Sequence, residues 1–261
     1  MRYYKGHIAL SETRDVPILL HVRNARAICF DQLCDLISLE IVTECPRSLR
    51  WRVGRLEKAG LVRRLAGQRH LPKPVFGITQ QGLIFLESRG HYLFSLPGTT
   101  EVTLHSSQVP HALEMVNIRI ALAKTGVLHT WESDLEITSK NLVLESGLAK
   151  DFDAIAEIEV DGNSRTIGIE YERTPKAAGR YRAIREVYER DKKTDAILYL
   201  TTNDDLLYLL AMELRATRKR IGFALSEVFR RSLLETRTLT NSNNSEVVPL
   251  RAFLCGNQRE C

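Results

Sequence analysis

Residues 150–176 hold a set of acidic and basic groups whose types and spacing could do metal chemistry: Lys150, Asp151, Asp153, Glu170, Glu172, Arg173 and Lys176. Two strand-like runs, 152–160 and 165–172, flank Asp161-Gly162-Asn163-Ser164, and Asp-Gly with Asn between such runs signals a hairpin. Residues i and i+2 of a strand project to one side, so Asp151 and Asp153 share a face, as do Glu170 and Glu172. A hairpin closed about that turn sets the two acidic ends side by side, where like charges repel unless something positive lies between them. A divalent cation suits that place, because carboxylate oxygens favour hard ions such as Mg²⁺ or Mn²⁺. The competing view is that these acids are solvated and that Glu172 and Arg173 form a surface ion pair of little energetic weight.

The elements that must position these groups follow from length and charge. A chain of 261 residues makes one large or two small domains. It has no run of about 18 apolar residues, and its start, Met1-Arg2-Tyr3-Tyr4-Lys5, lacks the apolar stretch of a secretory signal. Neither membrane insertion nor export is expected, which points to the cytoplasm. The five cysteines show no close paired spacing, which argues against a zinc ribbon or a disulfide framework. The net charge of +5 is unevenly placed: residues 1–100 contain 15 Lys and Arg against 8 Asp and Glu, and the rest 22 against 24. Such asymmetry suggests a nucleic-acid-binding module joined to something else. The Gly, Pro and Thr content of residues 88–110, a stretch with room for one short strand, places a boundary near residue 98 and divides the chain into 1–98 and 99–261.

In the first domain, apolar periodicity predicts helices over 14–27 and 30–37. A third helix begins at Pro46 and ends at Gly60, with Leu49, Val53 and Leu56 as its apolar stripe. Residues 61–78 read as a hairpin with a basic tip containing Arg69, His70 and Lys73, and Thr79 caps a further helix to residue 86. From Arg47 to Lys73, nine basic residues (Arg47, Arg50, Arg52, Arg55, Lys58, Arg63, Arg64, Arg69 and Lys73) face a single acid, Glu57. Three helices, a hairpin and a further helix, with the run LEKAGLVRRL…FGITQQGLIFL, resemble a winged helix-turn-helix domain. On that resemblance the third helix recognises double-stranded DNA, and the nine basic residues contact it.

In the second domain a helix over 110–124 buries Leu113, Val116 and Ile120 and carries His111, Glu114 and Asn117 on another face. Strands are expected at 127–132, 135–137, 196–201 and 222–228, and helices at 175–190 and 204–219. The tail beyond residue 239 is expected to be loose, with 247–255 as an optional strand. This order predicts an α+β domain, a mixed sheet flanked by helices.

Residues from about 108 to 230 resemble the PD-(D/E)XK, restriction-endonuclease-like fold, with Glu114 as the helical acid, Asp153 as the hairpin aspartate and Glu170 opening the Glu-x-Lys motif. Glu172 stands where the motif lysine is expected. The resemblance therefore leaves the lysine's role to Lys176, Lys150 or His111, or makes Glu172 a further metal ligand or a base. It implies Mg²⁺ or Mn²⁺ held by Asp153, Glu170, Glu114 and Glu172, with His111 a weaker candidate for proton transfer. A winged helix ahead of such a domain, with HALEMVNIRIAL, FDAI and IEYERT in this order, resembles the replication-relaxation group and, within it, conjugative relaxases of the MobC type. That implies an enzyme that nicks one strand at a plasmid transfer origin, with a coupling or accessory mobilisation protein as a further partner. Arg173, Arg180 and Arg182 would then hold the strand being cut. Relaxases with a His-hydrophobic-His triad and an N-terminal catalytic tyrosine are excluded despite Tyr3 and Tyr4, since no His-x-His occurs. An ester through Tyr171 or Tyr181 lacks an activating partner, so hydrolysis is the expected route. The alternatives are a DNA-binding regulator with an inactive nuclease fold, and an endonuclease of restriction or transposition that cuts both strands.

Overall fold

A computed structural model describes residues 9–41, 45–65, 74–102, 104–144, 148, 150–241 and 246–256. The chain forms two compact units, Met1–Val116 and Asn117–Cys261. The division falls inside the helix Val109–Lys124, beyond the expected boundary near 98, because that helix begins packed on the first unit: Val109 and Ala112 join Ala27 and Val75 in one buried cluster.

In chain order the first unit contains α1 (Asp15–Ala25), β1 (Ile28–Cys29), α2 (Phe30–Glu40), α3 (Pro46–Lys58), β2 (Val62–Arg64), β3 (Val75–Ile78), α4 (Gln80–Ser88) and the start of α5 (Val109–Lys124). The three strands form an antiparallel sheet in the order β1-β3-β2. Leu49, Val53 and Leu56 of α3 are buried, as their spacing requires. The Cys45 thiol and the Thr79 hydroxyl cap α3 and α4, accepting from the N–H groups of Ser48 and Gly82. Among the described residues between α4 and α5 there is no strand, only a 3₁₀ turn over Ser106–Gln108. The wing-tip residues Arg69, His70 and Lys73 lie outside the described residues.

The second unit continues with β4 (Leu128–Ser133), α6 (Asp134–Val143), β5 (Ala154–Val160), β6 (Asn163–Glu172), α7 (Ala178–Arg190), β7 (Ala196–Thr201), α8 (Asp204–Leu214), β8 (Ile221–Leu225), α9 (Ser226–Ser232), β9 (Arg237–Thr240), β10 (Val247–Pro249) and α10 (Leu250–Cys255). Its strands form one seven-stranded mixed sheet in the order β10-β9-β8-β7-β6-β5-β4; β6, β7 and β8 run parallel and the remaining pairs antiparallel. Helices α7 and α8 bury Tyr181, Ile184, Tyr188, Leu206, Leu210 and Leu214 against Ile155, Ile197, Tyr199, Ile221 and Phe223 on one face of the sheet. The architecture is thus α+β, with a large mixed sheet flanked by helices. Among the described residues no helix is long and apolar enough to cross a membrane.

Three expectations are corrected here. Residues 135–137 are helical, because the Ser133 backbone N–H and hydroxyl both bond Glu136 and close a capping box that starts α6. The tail is ordered over 246–256, where β10 extends the sheet and α10 buries Leu250, Phe253 and Leu254. The β5–β6 turn contains two residues rather than four: Val160 pairs with Asn163, leaving Asp161 and Gly162 with φ of 51° and 77°. Two left-handed residues in succession match the twist of an antiparallel pair and fix its register.

Arg52 of α3 is tied into the first unit's interior. Its Nη1 lies 3.0 Å from Oδ1 of Asp15, a buried residue of α1 whose other oxygen accepts the Ser11 N–H at 2.8 Å. Removing one partner leaves the other charge buried and unpaired. Arg52→Ala should therefore destabilise the first unit by about 3 kcal/mol in urea denaturation, whereas Arg47→Ala, at an exposed position, should change it by less than about 0.5 kcal/mol. Equal small effects would show that the Arg52–Asp15 pair carries no stability.

Candidate functional site

The two-residue turn sets the register of β5 and β6, pairing Ala154 with Ile169. One step further, Asp153 faces Glu170 on the side of the sheet covered by α7. The Tyr171 N–H donates to Oδ2 of Asp153 at 2.8 Å, so the aspartate also secures the end of β6. Glu170 pairs in register with Tyr199 of β7, and the Tyr199 hydroxyl lies 2.7 Å from that of Tyr188 on α7. Only 5% of Glu170 is exposed.

Lys150 supplies the compensating charge. Its ammonium is ion-paired with Glu170, lies 3.5 Å from the Tyr188 hydroxyl and sits 5.5 Å from the ring centres of both Phe152 and Tyr188. Those two rings are parallel, with centroids 6.0 Å apart. Gly168 is the residue that admits them: a Cβ there would approach the Phe152 ring to 2.7 Å. One turn of chain beyond the strand, Lys176 pairs with Glu172 in the same manner but closer to solvent. The lysine head groups differ accordingly, 21% of the Lys150 side chain being exposed against 37% for Lys176.

The electrostatics follow from burial. Desolvation pushes the Glu170 carboxyl up to about 7, opposed by Lys150 and aided by the neighbouring Asp153 charge. Burial also raises the Tyr188 and Tyr199 phenols well above the usual range, reinforced by the Glu170 carboxylate. Tyr181 is raised by burial as well, and its oxygen accepts the Lys176 N–H at 2.8 Å. It is therefore a poor nucleophile. Tyr171 projects to the opposite face of β6 from Glu170.

Asp153, Glu170, Lys150, Glu172 and Lys176 thus come together in the second unit. Asp151 does not join them: β5 begins only at residue 154, and Asp151 accepts a hydrogen bond from Asn141 of α6 at 2.6 Å. His111 and Glu114 lie half-buried on the part of α5 that belongs to the first unit. Among the described residues no three His, Cys, Asp or Glu side chains gather closely enough to hold a metal ion, so the expected set of four carboxylates is not assembled. What the donor chemistry offers a hard cation is the Asp153–Glu170 pair, whose charge Lys150 partly balances. Tyr188, Tyr199 and Phe152 were not foreseen as site residues, since the parallel register joining Tyr199 to Glu170 has no sequence signature.

Of the basic residues expected to touch DNA, Arg47, Arg50, Lys58, Arg63, Arg64, Arg173, Arg180 and Arg182 are exposed, and Arg55 is half-exposed. Arg64 is paired with Glu57 at 2.9 Å, and Arg63 donates to the Val102 carbonyl. Arg52 is the exception, held in the interior by Asp15. Comparison with protein-family models, curated proteins and solved structures finds no match to this chain.

A carboxyl whose folded value lies above its unfolded 4.5 keeps a proton that the unfolded chain has already released. Its contribution to stability therefore falls as pH rises from about 4.5 to about 7. Glu170→Gln removes this dependence. Without divalent metal, the variant should match the parent protein at the acidic end of that window and exceed its stability by about 3 kcal/mol above it. Urea denaturation across the window tests this, and a difference that does not change with pH would show that Glu170 ionises normally.

Proposed function

We propose that this protein is a metal-dependent, site- and strand-specific DNA endonuclease, of the kind that nicks a plasmid transfer origin for conjugative mobilisation. One observation carries the proposal: the β5–β6 hairpin sets Asp153 against Glu170 and lays the Lys150 ammonium beside them, which is the acid, acid and lysine set of a phosphodiester-cleaving site. The departure at Glu172 then has a remedy within the chain. Lys150, arriving from the segment before β5, stands in for the lysine that the Glu-x-Glu sequence lacks.

The folds support the same assignment. A recognition helix and wing need the element order of the first unit, with α3 placed before a β2–β3 pair in a three-stranded antiparallel sheet. A restriction-endonuclease-like domain needs a mixed sheet with acids at the end of a central hairpin. Asp153 and Glu170 would hold Mg²⁺ or Mn²⁺, which when bound lowers the pKa of a water and neutralises charge on the phosphate. Lys150 has three N–H donors and an ammonium 5.5 Å from the centres of two rings, so it can hold a phosphate oxygen or orient the attacking water. Glu172, balanced by Lys176, steadies the end of β6. Arg180 and Arg182, exposed on α7, and Arg173 beside them provide backbone contacts to the strand being cut.

A second reading has its own observation. Lys150 and Lys176 balance both glutamates internally, an arrangement equally suited to a DNA-binding regulator whose nuclease fold does no chemistry. Supercoiled plasmid carrying the native neighbourhood, incubated with Mn²⁺, Mg²⁺ or EDTA, separates the two. The nickase yields open circles only with metal, and Asp153→Asn, Glu170→Gln and Lys150→Met each reduce cutting at least about a hundredfold, roughly 3 kcal/mol, with DNA binding retained. Site-specific binding without cutting under any condition assigns the regulator, and linear product assigns an enzyme that cuts both strands.

DNA binding is tested separately. Arg47→Ala and Lys58→Ala should each lower affinity for all duplexes and reduce the slope of log affinity against log salt by about 1. An unchanged slope in filter-binding titrations would remove α3 from the interface.

A further inference from the structure

The outer face of α3 has a feature that phosphate contacts alone do not require. Arg47, Trp51, Gly54, Arg55 and Lys58 follow at steps of three and four, forming one stripe opposite the buried Leu49, Val53 and Leu56. Trp51 is 60% exposed on this stripe. The Arg55 guanidinium lies over the indole, 4.5 Å from its centre, and is anchored to the Ala9 carbonyl at 3.0 Å, so one face of the ring is held against Arg55 while the side chain as a whole stays exposed. Gly54, three residues on from Trp51 along the same face, has no side chain, and among the described residues a Cβ built there meets no atom within 4 Å. A glycine in an exposed helix interior is unfavourable for the helix, so the gap is a cost that packing does not explain.

From this we infer that Trp51 and Gly54 form a base-stacking site, in which an unpaired base of a DNA strand lies on the indole while Arg47, Arg55 and Lys58 hold the flanking phosphates. The occupant follows from charge. An apolar protein surface would bury these cations without partners, whereas a phosphodiester strand provides an anion for each and a flat aromatic face for the indole. The base must be unpaired, because in a duplex both of its faces are covered by neighbours. This inference rests on the DNA-binding role proposed for the first unit and adds a preference for melted or looped strands.

The test uses the full chain with Trp131→Phe, leaving Trp51 as the sole reporter of the two tryptophans. Its fluorescence is titrated with oligothymidylate and with an abasic sugar-phosphate strand of equal length, which keeps the charges and removes the bases. The expected result is quenching by oligothymidylate alone and binding to it about tenfold tighter than to the abasic strand. Gly54→Leu fills the gap, keeps the indole and favours the helix, so circular dichroism should be unchanged while the tenfold preference is lost. By anisotropy of labelled strands in the chain that keeps Trp131, Trp51→Ala also loses the preference and Trp51→Phe retains most of it. Equal affinity for the two strands, or a preference that survives Gly54→Leu and Trp51→Ala, overturns the inference. A protein that binds duplex plasmid yet neither strand loses this site alone, whereas one that binds no DNA loses the DNA-binding role as well.

Discussion

The second unit is organised around the burial of one carboxylate. Glu170 lies in a central strand beneath α7, where an unpaired ionised acid would be costly, and the chain meets that cost with the Lys150 ammonium. Each neighbouring feature serves the pairing. The left-handed Asp161-Gly162 turn fixes a register in which Asp153 and Glu170 face each other, and a slip of one residue would send Glu170 to the opposite face. Gly168 makes room for Phe152, and the Phe152 and Tyr188 rings flank the Lys150 ammonium.

The surroundings that raise Glu170 toward neutrality also give it chemical use. A carboxyl poised near 7 is half-ionised at neutral pH, so a strongly charged ligand can complete its ionisation. The Tyr188–Tyr199 hydroxyl contact, 2.7 Å long, extends the polar chain from Lys150 back into the core. The two phenols are fully removed from water.

Much of this organisation was legible in the sequence where local chemistry decides it. Pro46 and Gly60 bound α3, Thr79 caps α4, and the apolar run 196–201 is β7, because caps, breakers and periodicity act over a few residues. One miss is local and the others come from longer range. Ser133 and Glu136 carry a readable capping box, yet the short apolar run 135–137 was assigned to a strand. Arg52 looked like a DNA contact until Asp15, 37 residues earlier, proved to be its partner. Choosing Lys150 over Lys176 beside Glu170 required knowing where Phe152, Tyr188 and Tyr199 converge, and that depends on a parallel register between β6 and β7.

The two glutamate–lysine pairs differ in how their lysines are positioned. Glu172 and Lys176 are four residues apart at the end of β6, the glutamate buried and the lysine partly open to solvent. Lys150 reaches Glu170 from twenty residues away, through a segment that Asn141 ties to α6 by accepting the Leu148 N–H and donating to Asp151. Its position is set by tertiary packing rather than by strand spacing. An ammonium delivered in this way reaches Glu170 without any local spacing in the sequence to announce it.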